Sequence, residues 1–283
     1  MIRYLVQPGL APVERIESFA TGGREMSFRL EPGLSLNEAL TAPLVAAGIQ
    51  SAALTFAGGT LSPFVYVVPA QPRDERHVAY FSAPHTAGES RVDIANVTFG
   101  WRDGAPFVHC HATWTEPNGQ FRGGHIMPHE TFIHTPTDAR AWAFPDLRIV
   151  AEADPETNFT LFHPLPPAGS DNGRFVVARI RPNEDICTAL EEICRRHSIG
   201  SAIVRGSLGS LVGVRFTNGA EVADHATEVL VRAGKVSPYP GGRLRAELDL
   251  LVVDMQGTVH QGWLAHGKNP VCITFELVLE ATG

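Results

Sequence analysis

The stretch RLEPGLSLNEAL, residues 29–40, recurs later in the chain as RIRPNEDICTAL, residues 179–190. The offset of 150 residues continues without a gap into GIQSAALTFAGGTL, residues 48–61, which aligns with SIGSAIVRGSLGSL, residues 198–211. Nine positions of these blocks are identical, and they include a proline, a glycine and several apolar residues. Because this period is far longer than that of solenoid repeats, the pattern indicates a duplicated domain.

The two copies are separated by HPLPPAGSDNG, residues 163–173. This segment is rich in proline and glycine and has no apolar periodicity, which is typical of a linker. The sequence therefore predicts a first domain over residues 1–165 and a second domain over residues 172–283.

Each copy is predicted to begin with a strand, a helix and a second strand. Ser35 and Glu38 have the spacing of a capping box at the start of the first helix, and Pro43 predicts a kink or an early end. ICTALEEICRRH, residues 186–197, has helical spacing of its apolar residues. The remainder of each copy has the pattern of strands joined by hairpin turns. We therefore expect an α+β class, in which each domain has a mainly antiparallel sheet and one packed helix. The predicted strands beside the helices are residues 27–30, 51–56, 175–180 and 201–205.

Charge and composition argue against several classes of function. The chain has 23 basic and 30 acidic residues and no basic cluster, which argues against direct DNA binding. No apolar run approaches the roughly 20 residues of a membrane-spanning helix, and the N-terminus lacks the order of a signal peptide. We therefore expect a cytoplasmic protein without membrane association. The four cysteines form no CxxC pair and are expected to be reduced and mostly buried.

A second stretch, HCHATWTEPNGQFRGGH at residues 109–125, contains the candidate functional residues. Its central TEPNGQ predicts a three-residue hairpin loop with a bulge at Gly119. That loop pairs Glu116 with Gln120, so His111 should lie directly opposite His125.

This register predicts a metal site. His109 and His111 are two residues apart on one strand and share a face, and the residue opposite His111 shares it too. Three converging imidazoles suit a metal with Zn–N bonds of about 2.0–2.1 Å. His109, His111 and His125 are therefore candidate ligands of zinc or another divalent transition metal, with an open position typical of catalytic sites. The alternative is a polar strand face with solvated histidines.

Several neighbours are weaker candidates. His129, Glu130 and His134 follow the hairpin and could contact the metal ligands or a substrate, although surface positions would explain them equally well. Gly123 and Gly124 would allow another chain or a ligand to approach beside His125. A polar insertion around residues 72–90 has no counterpart in the second copy and could lie over a site.

The second copy keeps the hairpin but not the histidines. At an offset of 138, His109, His111 and His125 align with Glu247, Asp249 and Trp263. One interpretation is that the second copy became a structural partner, which we favour because one copy can lose a site while the fold persists. The other is that Glu247 and Asp249 form a second site for harder ions or hydrogen bonds.

The order R-L-x-P-G, helix, G-I-x-x-A, H-x-H, N-G and G-G-H resembles the PPC domain, which is named for its occurrence in plants and prokaryotes. The resemblance covers nearly the whole chain as two tandem copies, of the bacterial type, since no R-G-R-P core of an AT-hook is present. It implies a curved, mainly antiparallel sheet with a packed helix, a metal (usually zinc) on the three histidines, and trimers. Prokaryotic members often carry the label of DNA-binding proteins.

Two functions follow as hypotheses. The first is a metal-dependent enzyme or small-molecule binder of unknown reaction, in which the metal activates water or polarises a carbonyl. The second is a regulatory or scaffolding module, associated with DNA through protein partners. The resemblance also implies a homo-oligomer, in this case a trimer of two-domain chains, unless each chain packs its own two domains together.

Overall fold

The computed structural model describes residues 3–169 and 173–282, so residues 170–172 of the predicted linker lie outside the described residues. It contains helices α1 (Leu36–Ala46) and α2 (Ile186–Arg196). The strands before the linker are β1 (Ile16–Thr21), β2 (Arg24–Leu30), β3 (Ser51–Phe56), β4 (Thr60–Leu61), β5 (Phe64–Val67), β6 (Pro69–Ala70), β7 (Tyr80–Phe81), β8 (His85–Ala87), β9 (Ser90–Arg102), β10 (Ala105–Thr115), β11 (Phe121–Ile126), β12 (Thr137–Phe144), β13 (Ile149–Ala153) and β14 (Thr160–Pro164). Those after it are β15 (Phe175–Ile180), β16 (Ala202–Val204), β17 (Leu208–Leu211), β18 (Val214–Arg215), β19 (Glu221–Val222), β20 (Thr227–Tyr239), β21 (Arg243–Val253), β22 (Val259–Trp263) and β23 (Val271–Ala281).

Two large sheets contain most of these strands. The first has the order β2-β12-β3-β9-β10-β11-β5-β8, with β4, β13 and β14 attached beside it. The second has the order β1-β15-β23-β16-β20-β21-β22, with β17 attached. The run β2-β12-β3-β9-β10-β11 of the first sheet corresponds strand by strand to β15-β23-β16-β20-β21-β22 of the second. This correspondence confirms the duplication, and the two copies are called repeat one and repeat two below.

The class is mainly β, which corrects the predicted α+β balance. The described residues contain two helices of 11 residues each, against 23 strands. The sheet pairing is antiparallel except between β13 and β9. The predicted mainly antiparallel sheets with one packed helix each are present, and only the class label changes, because one short helix per repeat is a small share of the structure.

Both helices form where the sequence predicts them. Ser35 and Glu38 make both hydrogen bonds of the capping box at α1, and the Asp185 side chain accepts from the Thr188 amide at the start of α2. Helix α1 continues past Pro43 to Ala46, so the expected early end does not occur there. Leu36, Leu40 and Leu44 of α1 are fully buried against the first sheet, and Ile186, Leu190 and Ile193 of α2 are buried against the second.

The N-terminal strand crosses between the repeats. β1 precedes repeat one in the chain, yet it pairs antiparallel with β15 at the edge of the second sheet. Asp154, in the loop between β13 and β14, reaches the same region and accepts from Arg179 at 2.6 Å and from Arg181 at 2.9 Å. Arg181 also bonds Glu17 of β1. This buried ion network joins segments on both sides of the linker.

The remaining face of the first sheet packs against repeat two. The Asn96 side-chain amide donates to the carbonyls of Ser207 and Val231 at 2.9 and 2.8 Å, in buried surroundings. A Cβ at Gly123 would lie 2.6 Å from a methyl group of Val253. The close approach predicted at this glycine therefore exists, and the approaching segment is the β21–β22 hairpin of the same chain.

The described cysteines are all buried and unpaired, as the sequence predicts. Neither helix within residues 3–169 and 173–282 has the length and hydropathy of a membrane-spanning helix.

Candidate metal centre

The β10–β11 hairpin brings the three histidines together. The Glu116 amide donates to the Gln120 carbonyl at 2.9 Å, and Gly119 adopts a φ of 83°. This geometry is the three-residue loop with a glycine bulge that the sequence predicts. His111 consequently pairs with His125 across the ladder, which confirms the predicted register.

The ring nitrogens of the three histidines lie close enough together to bind one metal ion. Nε2 of His109 and Nε2 of His111 are 3.1 Å apart, and the candidate ligand atoms of all three histidines lie within 4.8 Å of one another. Ligand nitrogens of tetrahedral zinc, with bonds of about 2.0–2.1 Å, are separated by roughly 3.3 Å. The three side chains therefore have a spacing that a zinc ion would bridge with small adjustments.

Repeat two orients two of these rings. Nδ1 of His109 lies 2.8 Å from Oε1 of Glu276, and Nδ1 of His111 lies 3.0 Å from the Val229 carbonyl. Because a carboxylate and a carbonyl are acceptors, each Nδ1 atom donates its hydrogen, and in the neutral form of the rings both Nε2 atoms present lone pairs. Two lone pairs facing each other repel unless a cation lies between them. Such outer partners are the usual way in which metal-binding histidines are fixed.

The site also favours the neutral form of His111 and His125. Burial lowers the pKa of His111 well below its usual range, and repulsion from His109 lowers it further, although the Val229 carbonyl opposes the shift. Burial, His109 and His111 likewise lower the pKa of His125. Metals bind neutral imidazole, so the folded chain favours the form of these two side chains that binding requires.

A buried carboxyl group of repeat two lies beside the histidines. Oε1 of Glu228 is 3.9 Å from Nε2 of His111 and 4.0 Å from Nδ1 of His125. Burial raises the pKa of Glu228 well above its usual range. A hydrogen bond from the backbone of His125 lowers this pKa, but by less than burial raises it. Three buried polar atoms at this point have no hydrogen-bond partner in the described structure: Oε2 of Glu228, Oε2 of Glu276 and Nδ1 of His125. These orphaned polar atoms fit a site completed by a cation.

The histidines form part of the wall of a cavity between the repeats. Its volume is about 450 Å³, and residues of both repeats line it. Its aromatic wall comes from repeat one and the segment that follows it, whereas Ser210 and Thr274 belong to repeat two. The main aromatic lining residues are Tyr80, Phe81, Phe107, Phe159 and Phe162. The cavity is thus mainly apolar with a polar, metal-ligating wall, as ligand-binding pockets commonly are.

The other candidate residues from the sequence differ in whether they line the cavity. His129 and Glu130 line the cavity at exposed positions. His134 lies apart from the cavity lining and is 3.5 Å from Glu89 at an exposed position. The insertion expected over a site contributes Tyr80 and Phe81, and the Phe81 ring centroid is 5.3 Å from that of His125.

Sequence reasoning missed Glu228 and Glu276. Glu228 is the second residue of β20 and Glu276 lies within β23, and neither belongs to a motif that marks a ligand. The usable signal was weak: each glutamate lies beside apolar strand residues, and a carboxylate that is buried with them requires a partner.

In repeat two the corresponding hairpin carries paired charges. Asp249 bonds Arg232 at 2.7 Å, and Glu247 bonds Lys235 at 3.0 Å. Among residues 3–169 and 173–282, the three histidines are the group identified with the composition and spacing of a metal site. The ion pairs favour the interpretation of Glu247 and Asp249 as structural residues.

A family model of the Plants and Prokaryotes Conserved (PCC) domain matches residues 17–139 and 168–282. A plant- and prokaryote-conserved protein of Pyrococcus horikoshii is 20% identical, with 52% of this chain and 95% of that chain covered and a TM-score of 0.41. A metal-containing protein of Archaeoglobus fulgidus is 17% identical, with 51% and 96% covered and a TM-score of 0.41. No curated protein matches the chain.

Proposed function

Because the chain belongs to the Plants and Prokaryotes Conserved domain family, with two copies of the domain in tandem, we propose that it binds a divalent metal through His109, His111 and His125. The observation that carries the proposal is the pair of Nε2 atoms 3.1 Å apart, each on a ring whose Nδ1 faces an acceptor of repeat two. Three imidazoles suit zinc, and they also suit copper, iron and nickel.

The cavity supports a small-molecule ligand at this metal. Its volume of about 450 Å³ lies within the range of small-molecule pockets, roughly 300–1,000 Å³. The aromatic wall suits a mainly apolar molecule, and the histidine wall suits a ligand that turns an oxygen atom toward the metal. A bound metal would supply Lewis acidity to that oxygen or to water. We therefore propose a metal-dependent enzyme of hydrolase or lyase type, or a binder of such a molecule.

The chain's own residues would position this ligand. Phe81 and Phe159, which line the cavity with their rings 6.0 Å apart, would exclude water from the apolar part of the ligand. Ser210 and Thr274 offer hydroxyl groups for its polar part. The exposed residues Arg102 and Glu130 stand where the cavity meets solvent.

The test is a ligand and substrate screen on two matched proteins, the zinc-loaded wild type and a His111→Ala variant. Thermal shift with small apolar acids and carbonyl compounds, and assays with hydrolase and lyase panels, should give responses in the wild type that the variant lacks. Equal responses in both would show that the histidines take no part. Absence of any response would favour the regulatory or scaffolding alternative over an enzyme or binder.

A further inference from the structure

Glu228 lies where repeat two reaches the histidines of repeat one. Its Oε1 is within 4.0 Å of nitrogen atoms of both His111 and His125, and its side chain is only 6% exposed. It is the second residue of β20, the strand whose next residue, Val229, accepts from His111. The strand that fixes one histidine ring therefore also carries a carboxyl group to the same point.

Glu228 is a buried carboxyl group that no arginine or lysine of the described residues neutralises. Three other buried carboxylates have arginine partners that compensate their charge: Asp154 has Arg179, Asp249 has Arg232 and Glu280 has Arg205. Within the described residues, the basic side chains within 4.0 Å of the Glu228 carboxyl group are those of His111 and His125, and no lysine or arginine pairs with it. A carboxylate in such a place is costly unless a cation accompanies it.

We infer that Glu228 is a fourth protein ligand of the metal, so that a metal bound to the histidines of repeat one is also bound to repeat two. The inference rests on the metal-binding function proposed above. The distances of 3.1, 3.9 and 4.0 Å between the candidate donor atoms are near the roughly 3.3 Å separation of ligands around zinc. Carboxylate oxygen is an ordinary zinc ligand beside imidazole nitrogen.

This assignment gives repeat two a role in metal binding, although it lacks the three histidines of repeat one. Repeat two would supply a metal ligand in Glu228 and the outer hydrogen-bond acceptors of His109 and His111. Zinc can expand to five ligands, so an oxygen atom of a small molecule in the cavity would still have a place. Metal binding would also hold the two repeats together, because ligands from both must meet at one ion.

The experiment compares zinc affinity and zinc-induced stabilisation in the full-length chain. The variant Glu228→Gln keeps the volume of the side chain, and Glu247→Gln is the matched control, an exposed glutamate of repeat two. Zinc affinity is measured by competition with a chromophoric chelator, and the cobalt-loaded proteins are compared by visible absorption. Circular dichroism checks that each variant is folded.

We expect the Glu228→Gln variant to bind zinc about 100-fold more weakly, with a smaller rise in Tm on zinc addition and an altered cobalt spectrum. Glu247→Gln should match the wild type. If Glu228→Gln fails to fold, Glu228→Asp takes its place and should also bind zinc more weakly, because its carboxyl group is one methylene shorter.

The outcomes separate this inference from the proposed function. Wild-type affinity and an unchanged cobalt spectrum in the folded Glu228 variant, together with loss of zinc in His111→Ala, would overturn the role of Glu228 and leave the histidine site intact. A wild-type protein that binds no zinc or cobalt would overturn both.

Discussion

At the scale of single residues, the hydrogen bond from Nδ1 of His109 to Glu276 at 2.8 Å should govern metal affinity. A carboxylate in this position holds the ring and increases the basicity of the opposite nitrogen. We predict that Glu276→Gln weakens zinc binding about 10–100-fold, as the loss of such outer partners generally does. Chelator competition measures the change.

The control for this prediction is Glu280→Gln on the same strand, because Glu280 is buried but bonds Arg205 at 2.8 Å away from the histidines. Its zinc affinity should equal that of the wild type. If Glu276→Gln also kept wild-type affinity, the hydrogen bond would have no part in holding His109 for a metal.

The residues of the candidate site were predictable only where they share a hairpin. The loop at Gly119 fixes which residues face each other, so the convergence of the three histidines follows from local sequence. Glu228 and Glu276 lie in another repeat, and their approach depends on how two sheets pack. Nothing in the sequence around either glutamate specifies that packing.

At the scale of elements, the hairpin needs a residue without a side chain beside His125. A Cβ at Gly124 would lie 2.6 Å from the Val67 carbonyl oxygen on the neighbouring strand β5. We predict that Gly124→Ala displaces β5 from β11 and costs about 1–3 kcal/mol of unfolding free energy, the usual cost of overpacking. Zinc affinity should fall in the same variant, because His125 is the adjacent residue.

Chemical denaturation and chelator competition check these two effects. Gly22→Ala is the matched control, since a Cβ at Gly22 meets no atom within 4 Å, and it should leave zinc affinity unchanged. Wild-type stability in Gly124→Ala would show that the strand pair tolerates a methyl group and that glycine is not required there.

Elements with strong local signals were predictable, and those defined by distant pairing were not. Helix α1 was predicted from its capping box and helix α2 from the spacing of its apolar residues. Strand β3 has the predicted bounds Ser51–Phe56. The exchange of β1 into the second sheet could not be inferred, because IESFAT would suit an edge strand of either sheet. The choice depends on partners more than 150 residues away, as in the pairing of Ile16 with Ile180.

At the scale of the whole molecule, the ion network around Asp154 should determine the acid stability of the contact between repeats. Burial alone would raise the pKa of Asp154, but Arg179 and Arg181 lower it to about 2. A lowered carboxyl pKa stabilises the fold above the unfolded value of about 3.9, and this stabilisation is lost as the pH falls toward the folded value.

We predict that Asp154→Asn lowers the unfolding free energy at neutral pH by about 3–5 kcal/mol, because it leaves the buried Arg179 guanidinium without its carboxylate partner. The difference from the wild type should shrink as the pH falls below about 4, where the unfolded wild type becomes protonated. Urea denaturation across this range measures it. Glu152→Gln, an exposed control on β13, should differ little from the wild type at any pH, and a constant difference for Asp154→Asn would contradict the assignment.

The duplication was evident from the sequence, whereas the arrangement of its two copies was not. Nine identities in one register reveal the repeat, but only packing determines that repeat two covers the histidine face. Assembly of three chains, which the family resemblance implies, stays a prediction that light scattering checks.

The most direct test of the central claim is elemental analysis of protein purified without a metal-affinity tag, beside a His111→Ala variant. The account predicts about one zinc or equivalent divalent metal per chain in the wild type and none in the variant, since the described residues contain one such histidine group and repeat two lacks the three histidines. Absence of metal from both proteins, even after dialysis against zinc, would contradict it.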